Sequence, residues 1–234
     1  MADLTQLLAG FESGELCRPD ASQPNFVDVV RAIGLITGAL DGPNSANSRQ
    51  IGDQIGEPEH LVFVLVDGLG THCLEHLGPE SWLRTHLAAE VQSVFPPTTS
   101  AAITSIAKAD WPAKHGAVGW WTYLAQLREA ACILPFVRHR DGEDLRDCGV
   151  TPEAVLGSST ILGEMARSTA IAQPTAIIDS TYSGWFGSGA DTLPYDDHAE
   201  AADKIAAHIR DADEPTFTYW YAAAVDHASH EHGS

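Results

Sequence analysis

The clearest pattern in the chain is an unbroken hydrophobic run that ends in a carboxylate. Residues 61–66 are all apolar, and Asp67 and Gly68 follow directly. Such a run predicts a strand that is buried on both faces. An ionised aspartate is costly to bury unless a cation or hydrogen bonds compensate, and open α/β sheets bind ligands at the carboxyl ends of strands. Asp67 is therefore a candidate metal ligand or catalytic acid; the alternative is an aspartate that only caps the next helix.

A second strand pattern ends in the same way. Residues 216–221 are rich in β-branched and aromatic side chains, and a short apolar stretch leads from them to Asp226. His230 follows four residues later, so that a helical turn would place both side chains on one face. A carboxylate and an imidazole together suit zinc, manganese or similar ions. The alternative is a surface pair of aspartate and histidine without a metal.

Between these strands lies a cluster of hydroxyl residues at a predicted helix start. Pro96 and Pro97 can neither continue a strand nor enter a helix interior, and Thr98, Thr99 and Ser100 then precede an alanine-rich stretch. The free N–H groups at a helix start favour anions. A threonine hydroxyl becomes a good nucleophile when a metal or a base lowers its pKa. The alternative is that these hydroxyls only cap the helix.

The rest of the pattern alternates strands and helices, which predicts an α/β fold with a mostly parallel sheet. Residues 1–25 are expected to pack loosely and residues 41–59 to form a linker. The aromatic residues 120–123 could stack on a nucleobase, or form core or a covering hairpin. The predicted helices span residues 25–36, 71–89, 161–167 and 196–210, and the further predicted strands span residues 91–95, 133–137 and 175–179.

The charge and composition of the chain argue against some classes of binding partner. The chain has 13 Lys and Arg against 32 Asp and Glu, a formal net charge of −19. Such a surface repels nucleic-acid polymers and anionic membranes, so that neither is an expected partner. No hydrophobic run reaches transmembrane length and the first residues lack a signal-peptide pattern, which predicts a cytoplasmic protein. The cysteines show no paired spacing and are expected to be reduced thiols; they are Cys17, Cys73, Cys132 and Cys148.

In their order and spacing, these motifs resemble the alkaline phosphatase superfamily, and most closely its nucleotide pyrophosphatase/phosphodiesterase branch (type I phosphodiesterases). The resemblance begins near residue 61. It departs from the family pattern at Lys108-Ala109, where relatives usually carry Thr-Gly, and at Ser229, where Gly is common. The matching residues are Asp67-Gly68, Pro96-Pro97-Thr98-Thr99, His115-Gly116 of the turn that Pro112 opens, and Tyr221 with Asp226, His230 and Gly233.

The resemblance implies a fold, a reaction and a set of site residues. The fold would be alkaline phosphatase-like, with helices on both faces of the sheet. The reaction would be metal-dependent hydrolysis of phosphodiester or pyrophosphate bonds in small nucleotide-type substrates, through a phospho-threonine. The spacing in relatives favours Thr99 over Thr98 as the nucleophile. Asp67 and Thr99 would bind one of two divalent ions, expected to be zinc, and Asp226 and His230 the other. His115 is expected to hold its turn by hydrogen bonds, and no further histidine is assigned to a metal.

Relatives complete their metal sites with a later Asp-His pair and a further histidine, for which this chain offers no fitting counterpart. We therefore expect the N-terminal part of such an enzyme: a helical segment with a linker (residues 1–58) and a C-terminally incomplete catalytic domain (residues 59–234). Weak metal binding and low activity would follow. Two alternatives stay open: a phosphomonoesterase or phosphonate hydrolase of the same superfamily, and a noncatalytic truncated fragment.

Overall fold

The computed structural model describes residues 3–16, 20, 22–42 and 45–233. Its strands form two sheets, one of them parallel and central and the other small and antiparallel. The strands are β1 (His60–Val66), β2 (Trp121–Leu124), β3 (Glu129–Cys132), β4 (Val137–Arg138), β5 (Ser168–Pro174), β6 (Asp191–Tyr195) and β7 (Thr216–Ala222).

Helices surround the central sheet, and several of them are single turns. They are α1 (Leu4–Ser13), α2 (Phe26–Ile36), α3 (Ala46–Ile55), α4 (Thr71–Leu74), α5 (Trp82–Thr85), α6 (Thr99–Lys108), α7 (Pro112–His115), α8 (Pro152–Leu156), α9 (Thr175–Ile178), α10 (Thr181–Phe186), α11 (His198–Arg210) and α12 (Ala224–His232). A 3₁₀ turn spans Leu162–Glu164.

The central sheet has the strand order β1-β7-β5-β6, and all its neighbouring strands are parallel. One face carries Phe217 and Tyr219, which belong to the main hydrophobic core together with residues of α2, α6 and α10. The other face carries Trp220, which packs in a smaller core with Ile205 of α11. Helices therefore cover both faces, and the predicted α/β class with a parallel sheet is confirmed.

Strand β1 is less buried than its hydrophobic sequence predicts. Its side chains are only partly buried, and Val64 is 42% exposed, so the prediction of a strand buried on both faces is wrong. The cause is its position: β1 pairs with β7 on one side and forms an edge of the sheet within the described residues. An edge strand has a neighbouring strand on one side only, so part of its surface stays open to solvent.

Two further predicted strands are corrected. Residues 91–95 join no sheet; Gln92 makes only an isolated bridge with Asn25, and the chain then bends into Pro96. Residues 175–179 form α9 and a turn, because the strand ends at Pro174. The buried strand of this region is β5, whose Ala170, Ile171 and Ala172 are fully covered.

Several helical and loop predictions also change. The predicted linker at 41–59 contains α3, which a capping box at Ser45 initiates, and the supposedly loose N-terminal region contains α1. The predicted helix at 71–89 splits into α4 and α5 around Gly78 and Pro79. Only the 3₁₀ turn forms within 161–167, and the predicted strand at 133–137 is a turn that leads into β4. Strand β6 was not predicted.

The helices predicted at 25–36 and 196–210 are confirmed. Helix α2 begins after Asn25, whose side chain accepts a hydrogen bond from the Asp28 N–H within a capping box. Helix α11 begins after Asp197 and buries Ala201 and Ile205 against the sheet. Helix α2 also contributes Val30 to the main core. The division at residue 58 stays a prediction.

The described residues bear on the predictions about membrane-spanning segments and about the cysteines. None of the described helices is long and apolar enough to span a lipid bilayer. Cys73, Cys132 and Cys148 are free thiols, in line with their spacing, and Cys17 lies outside the described residues.

Candidate functional site

The carboxyl ends of β1 and β7 bring two predicted site residues together. Val66 and Ala222 are register partners, and the backbone N–H of Asp67 donates to the carbonyl oxygen of Ala222 at 2.9 Å. The N–H of Asp226 in turn donates to the carbonyl oxygen of Asp67 at 3.1 Å. The main chains of the two aspartates are thus in direct contact, as expected for the ends of neighbouring parallel strands.

Gly68 makes this close approach possible. Its φ is +78°, and a Cβ at this position would lie 2.8 Å from both Cα and N of Asp226. A side chain would therefore collide with backbone atoms that cannot move away easily. The Asp-Gly pair recognised in the sequence is explained by this contact as well as by the turn.

The helix start after Pro97 distinguishes the two competing threonines. Thr98 is the N-cap of α6, and its hydroxyl accepts from the N–H of Ala101 at 3.5 Å. Thr99 is the first residue of the helix, and its hydroxyl has no hydrogen-bond partner among the described residues. Thr98 therefore has a structural role, while the Thr99 hydroxyl is available to a ligand.

All four predicted site residues line one cleft. Its volume is about 970 Å³, and its walls include the strand end at Asp67 and Gly68, the start of α6 and the first turns of α12. We call it the cleft; the predicted residues in it are Asp67, Thr99, Asp226 and His230.

Tyr221 holds the Asp67 side chain in place. The phenol O–H of Tyr221 donates to Asp67 Oδ2 at 2.7 Å, which leaves Oδ1 without a partner among the described residues. Burial raises the pKa of Tyr221, and the hydrogen bond to Asp67 raises it further, so that the phenol remains a donor. The sequence included Tyr221 in a motif but gave no sign of this pairing.

Asp226 and His230 lie on one face of α12, as their spacing predicts. His230 Nε2 is 3.6 Å from Asp226 Oδ1, and the two side chains are 79% and 27% exposed, respectively. Because α12 begins at Ala224, Asp226 lies in the first turn of the helix rather than at the end of the strand. A carboxylate is favourable in that position.

Comparison with known proteins assigns the chain to a family. A family model described as Type I phosphodiesterase / nucleotide pyrophosphatase matches residues 61–234, which is most of the chain. The chain belongs to this family. No curated protein and no solved structure matches it. The resemblance recognised from the motifs is therefore confirmed, and family membership implies a phosphoric ester hydrolase that acts on small-molecule phosphodiesters.

The cleft of this type I phosphodiesterase family member offers suitable donors for a divalent cation. The four predicted residues in it supply two carboxylates, an imidazole and a hydroxyl, and these are ligand types that zinc and manganese accept. Within the described residues, however, no three side chains of His, Cys, Asp or Glu cluster closely enough to hold an ion. The donor types fit, while the assembled ligand pairs fall short of the roughly three protein ligands of a catalytic zinc site.

His115 stabilises the turn between α6 and α7. The N–H of Ala117 donates to its Nδ1 at 3.2 Å, so Nε2 carries the proton and lies 2.9 Å from the Ser105 hydroxyl. Burial lowers the pKa of His115 to about 4. These contacts fit the structural role expected for His115 of this family member.

A second cavity of about 590 Å³ adjoins the cleft. We call it the side chamber; its walls include Thr99, Trp120, Leu134, Gln173, Tyr182 and Asp226. Trp120 lines both cavities, whereas Trp121 and Tyr123 of β2 are 58% and 65% exposed on the small sheet. Trp121 and Tyr123 therefore lie on a hairpin and not in the core, and Trp120 lies at the cleft.

Two histidines that the sequence analysis assigned to no metal also reach these cavities. His72 lines the cleft and His227 lines the side chamber. His227 directly follows Asp226, a position from which nearness to the site could have been inferred. His72 lies beyond Gly70, at the start of a helix, and nothing in its local sequence indicated the cleft.

Proposed function

We propose that the chain hydrolyses phosphodiester or pyrophosphate bonds of small nucleotide-type substrates through a covalent phospho-threonine on Thr99. The observation that supports this most is the position of Thr99. It is the first residue of α6, its hydroxyl has no partner among the described residues, and it lines the cleft opposite the joined ends of β1 and β7.

The start of α6 suits the charge that develops during such a reaction. The backbone N–H groups of Thr99 and Ser100 have no acceptor among the described residues, while the hydroxyl of Thr98 serves the N–H of Ala101. Donors fixed in this way stabilise the phosphoryl oxygens of a transition state without reorganising. The same helix end therefore positions both the nucleophile and the donors.

The reaction consists of two displacements at phosphorus. In the first, the Thr99 oxygen forms a bond to phosphorus as the bond to the leaving oxygen breaks; the Thr99 proton passes to a base, and the leaving oxygen takes up a proton. In the second, water attacks the phosphorus of the phospho-threonine and loses a proton to a base, while the bond from phosphorus to Thr99 breaks and the Thr99 oxygen takes up a proton. The side chains lining the cleft that can accept a proton include the carboxylates of Asp67 and Asp226.

Two divalent ions, zinc or a similar metal, would be held in this cleft. Asp67 and Thr99 would bind one ion, and Asp226 and His230 the other. A bound ion of this kind lowers the pKa of a coordinated hydroxyl or water and neutralises phosphoryl charge. Tyr221 contributes by fixing Asp67 Oδ2, which leaves Oδ1 for the ion.

The test is hydrolysis of bis(p-nitrophenyl) phosphate compared with p-nitrophenyl phosphate, with and without added zinc. We expect zinc-dependent release of p-nitrophenol that is faster from the diester, and loss of that release in Thr99→Ala. A preference for the monoester would instead indicate a phosphomonoesterase. Absence of turnover in excess zinc, together with no zinc bound to the purified chain, would indicate a noncatalytic chain and contradict the proposal.

A further inference from the structure

The side chamber is placed to receive one of the two ester groups of a substrate. Thr99, Asp226 and His230 line both this chamber and the cleft, so a phosphorus atom at Thr99 lies where the two cavities meet. The chamber volume of about 590 Å³ is within the ordinary range for small-molecule sites. A group attached to that phosphorus can extend into the chamber without leaving the protein.

The chamber walls are mostly apolar and include the aromatic rings of Trp120, Tyr182 and Tyr221. Trp120 is 45% exposed at the entrance, and Tyr182 is only 4% exposed. The Tyr182 hydroxyl is paired with Thr104 at 2.9 Å, so Tyr182 presents its ring rather than a free polar group. Such walls favour a planar, weakly polar group over an alkyl chain or an anion.

Gln173 interrupts this apolar lining. It is the residue before Pro174 at the carboxyl end of β5, and it is 3% exposed. Its Oε1 is buried without a hydrogen-bond partner among the described residues. The nearby hydroxyls of Ser180 and Ser183 are paired with each other at 3.0 Å and do not serve it. A buried amide oxygen without a partner is costly, and a ligand group in the chamber that paired with it would remove that cost.

We propose that Gln173 is a specificity-determining residue that hydrogen-bonds a planar ring entering the side chamber. The ring would carry a donor and an acceptor side by side, as an imide or lactam does, because a glutamine amide offers both complementary groups. This inference rests on the proposed function, since it concerns the group attached to the reacting phosphorus.

The test compares two substrates with the same leaving group. One is the p-nitrophenyl ester of thymidine 5′-monophosphate, whose base carries an imide; the other is p-nitrophenyl phenyl phosphate, whose ring carries none. The ratio of their kcat/KM values isolates recognition of the imide. In Gln173→Met, which keeps the length but not the amide, we expect this ratio to fall about tenfold or more.

Thr218→Val is the matched control. Thr218 is fully buried in β7 and its hydroxyl also lacks a partner among the described residues, but it does not line the side chamber. Its replacement should leave the ratio of kcat/KM values unchanged. A ratio that stays constant in Gln173→Met, or falls equally in Thr218→Val, would overturn the proposal.

Binding of thymidine 5′-monophosphate, measured by calorimetry, separates this inference from the proposed function. We expect its affinity to be about tenfold weaker in Gln173→Met than in the wild-type chain. If neither ester is hydrolysed but this loss of affinity is found, the chamber assignment stands and the hydrolase proposal fails. If the esters are hydrolysed and Gln173→Met binds thymidine 5′-monophosphate as tightly as the wild-type chain does, the hydrolase proposal stands and the chamber assignment fails. No detectable binding to the wild-type chain would overturn the assignment of Gln173.

Discussion

Two tyrosines on β7 have contrasting surroundings. Tyr221 donates to Asp67 Oδ2 at 2.7 Å, whereas the Tyr219 hydroxyl is buried without a partner among the described residues. Both rings belong to the main core, and Tyr219 packs edge-on against Phe186 at a centroid distance of 5.0 Å. Removing the Tyr221 hydroxyl therefore loses a hydrogen bond, whereas removing the Tyr219 hydroxyl loses a buried group that has none. The effects of the two changes on packing should be similar.

Tyr221→Phe should lower the free energy of unfolding by about 1.5–3 kcal/mol, because it removes a hydrogen bond to a charged group. Tyr219→Phe should leave it unchanged or raise it, because it removes a buried hydroxyl that has no partner. Urea denaturation of both variants measures the difference. Equal destabilisation of the two variants would contradict the assigned roles.

The positions of the individual site residues at the strand ends could be predicted from the sequence, whereas their hydrogen-bond partners could not. Asp67 and Asp226 follow hydrophobic strands, and parallel strands place such residues at one edge of the sheet. Tyr221 reaches Asp67 because the pairing register of β1 and β7 places Tyr221 beside Leu65. Tyr221 and Asp67 are 154 positions apart in sequence. No local pattern encodes that distance.

Helices α6 and α7 are joined through the buried imidazole of His115. Its pKa is lowered to about 4 by burial, compared with about 6.5 in an unfolded chain. Between these values the unfolded chain binds more protons than the folded one, so the stability that His115 contributes is lost as the pH falls from about 6.5 towards about 4.

His115→Gln should reduce this pH dependence. We expect the wild-type free energy of unfolding to fall by about 2 kcal/mol more than that of the variant between pH 7 and pH 4.5. Denaturation at both pH values measures the difference. Parallel pH profiles for the two proteins would show that His115 is not held neutral in the fold.

Cap signals predicted some helix starts correctly and others not, since the predicted helix at 161–167 forms only a 3₁₀ turn. Asn25 and Asp197 marked real helix starts. The apolar residues at 175–179 instead form the short helix α9, because the tertiary structure places the buried strand at Ser168–Pro174. Helix α3 was missed because its Asn, Ser and Gly residues favour loops, while its capping box and its packing against α2 stabilise it.

For the molecule as a whole, the net charge of −19 acts on every anionic substrate. Raising the ionic strength from 0.01 M to 0.15 M shortens the Debye length from about 30 Å to about 8 Å and screens this repulsion. We expect kcat/KM for the p-nitrophenyl ester of thymidine 5′-monophosphate to rise a few-fold over this range. The zwitterionic substrate p-nitrophenyl phosphocholine should change little. An equal response of both substrates would exclude long-range repulsion as the cause.

The alternation of strand and helix patterns predicted the fold class, but it did not predict the order of the strands in the sheet. Strand β7 comes last in sequence and lies between β1 and β5, an arrangement that only long-range pairing determines. That arrangement places Asp67 against Asp226 and exposes β1 at the edge. The site therefore depends on the sheet order, which the separate motifs do not contain.

The central claim is that Thr99 is the nucleophile, and trapping the covalent intermediate tests it most directly. The chain is incubated with zinc and the p-nitrophenyl ester of thymidine 5′-monophosphate, quenched in acid and digested with trypsin, and the peptide of residues 85–108 is sequenced by mass spectrometry. We predict a nucleotidyl adduct on Thr99 that is absent in Thr99→Ala and retained in Thr98→Ala, where only the cap of α6 is lost. An adduct on another residue, or turnover by Thr99→Ala at the wild-type rate, would contradict the account.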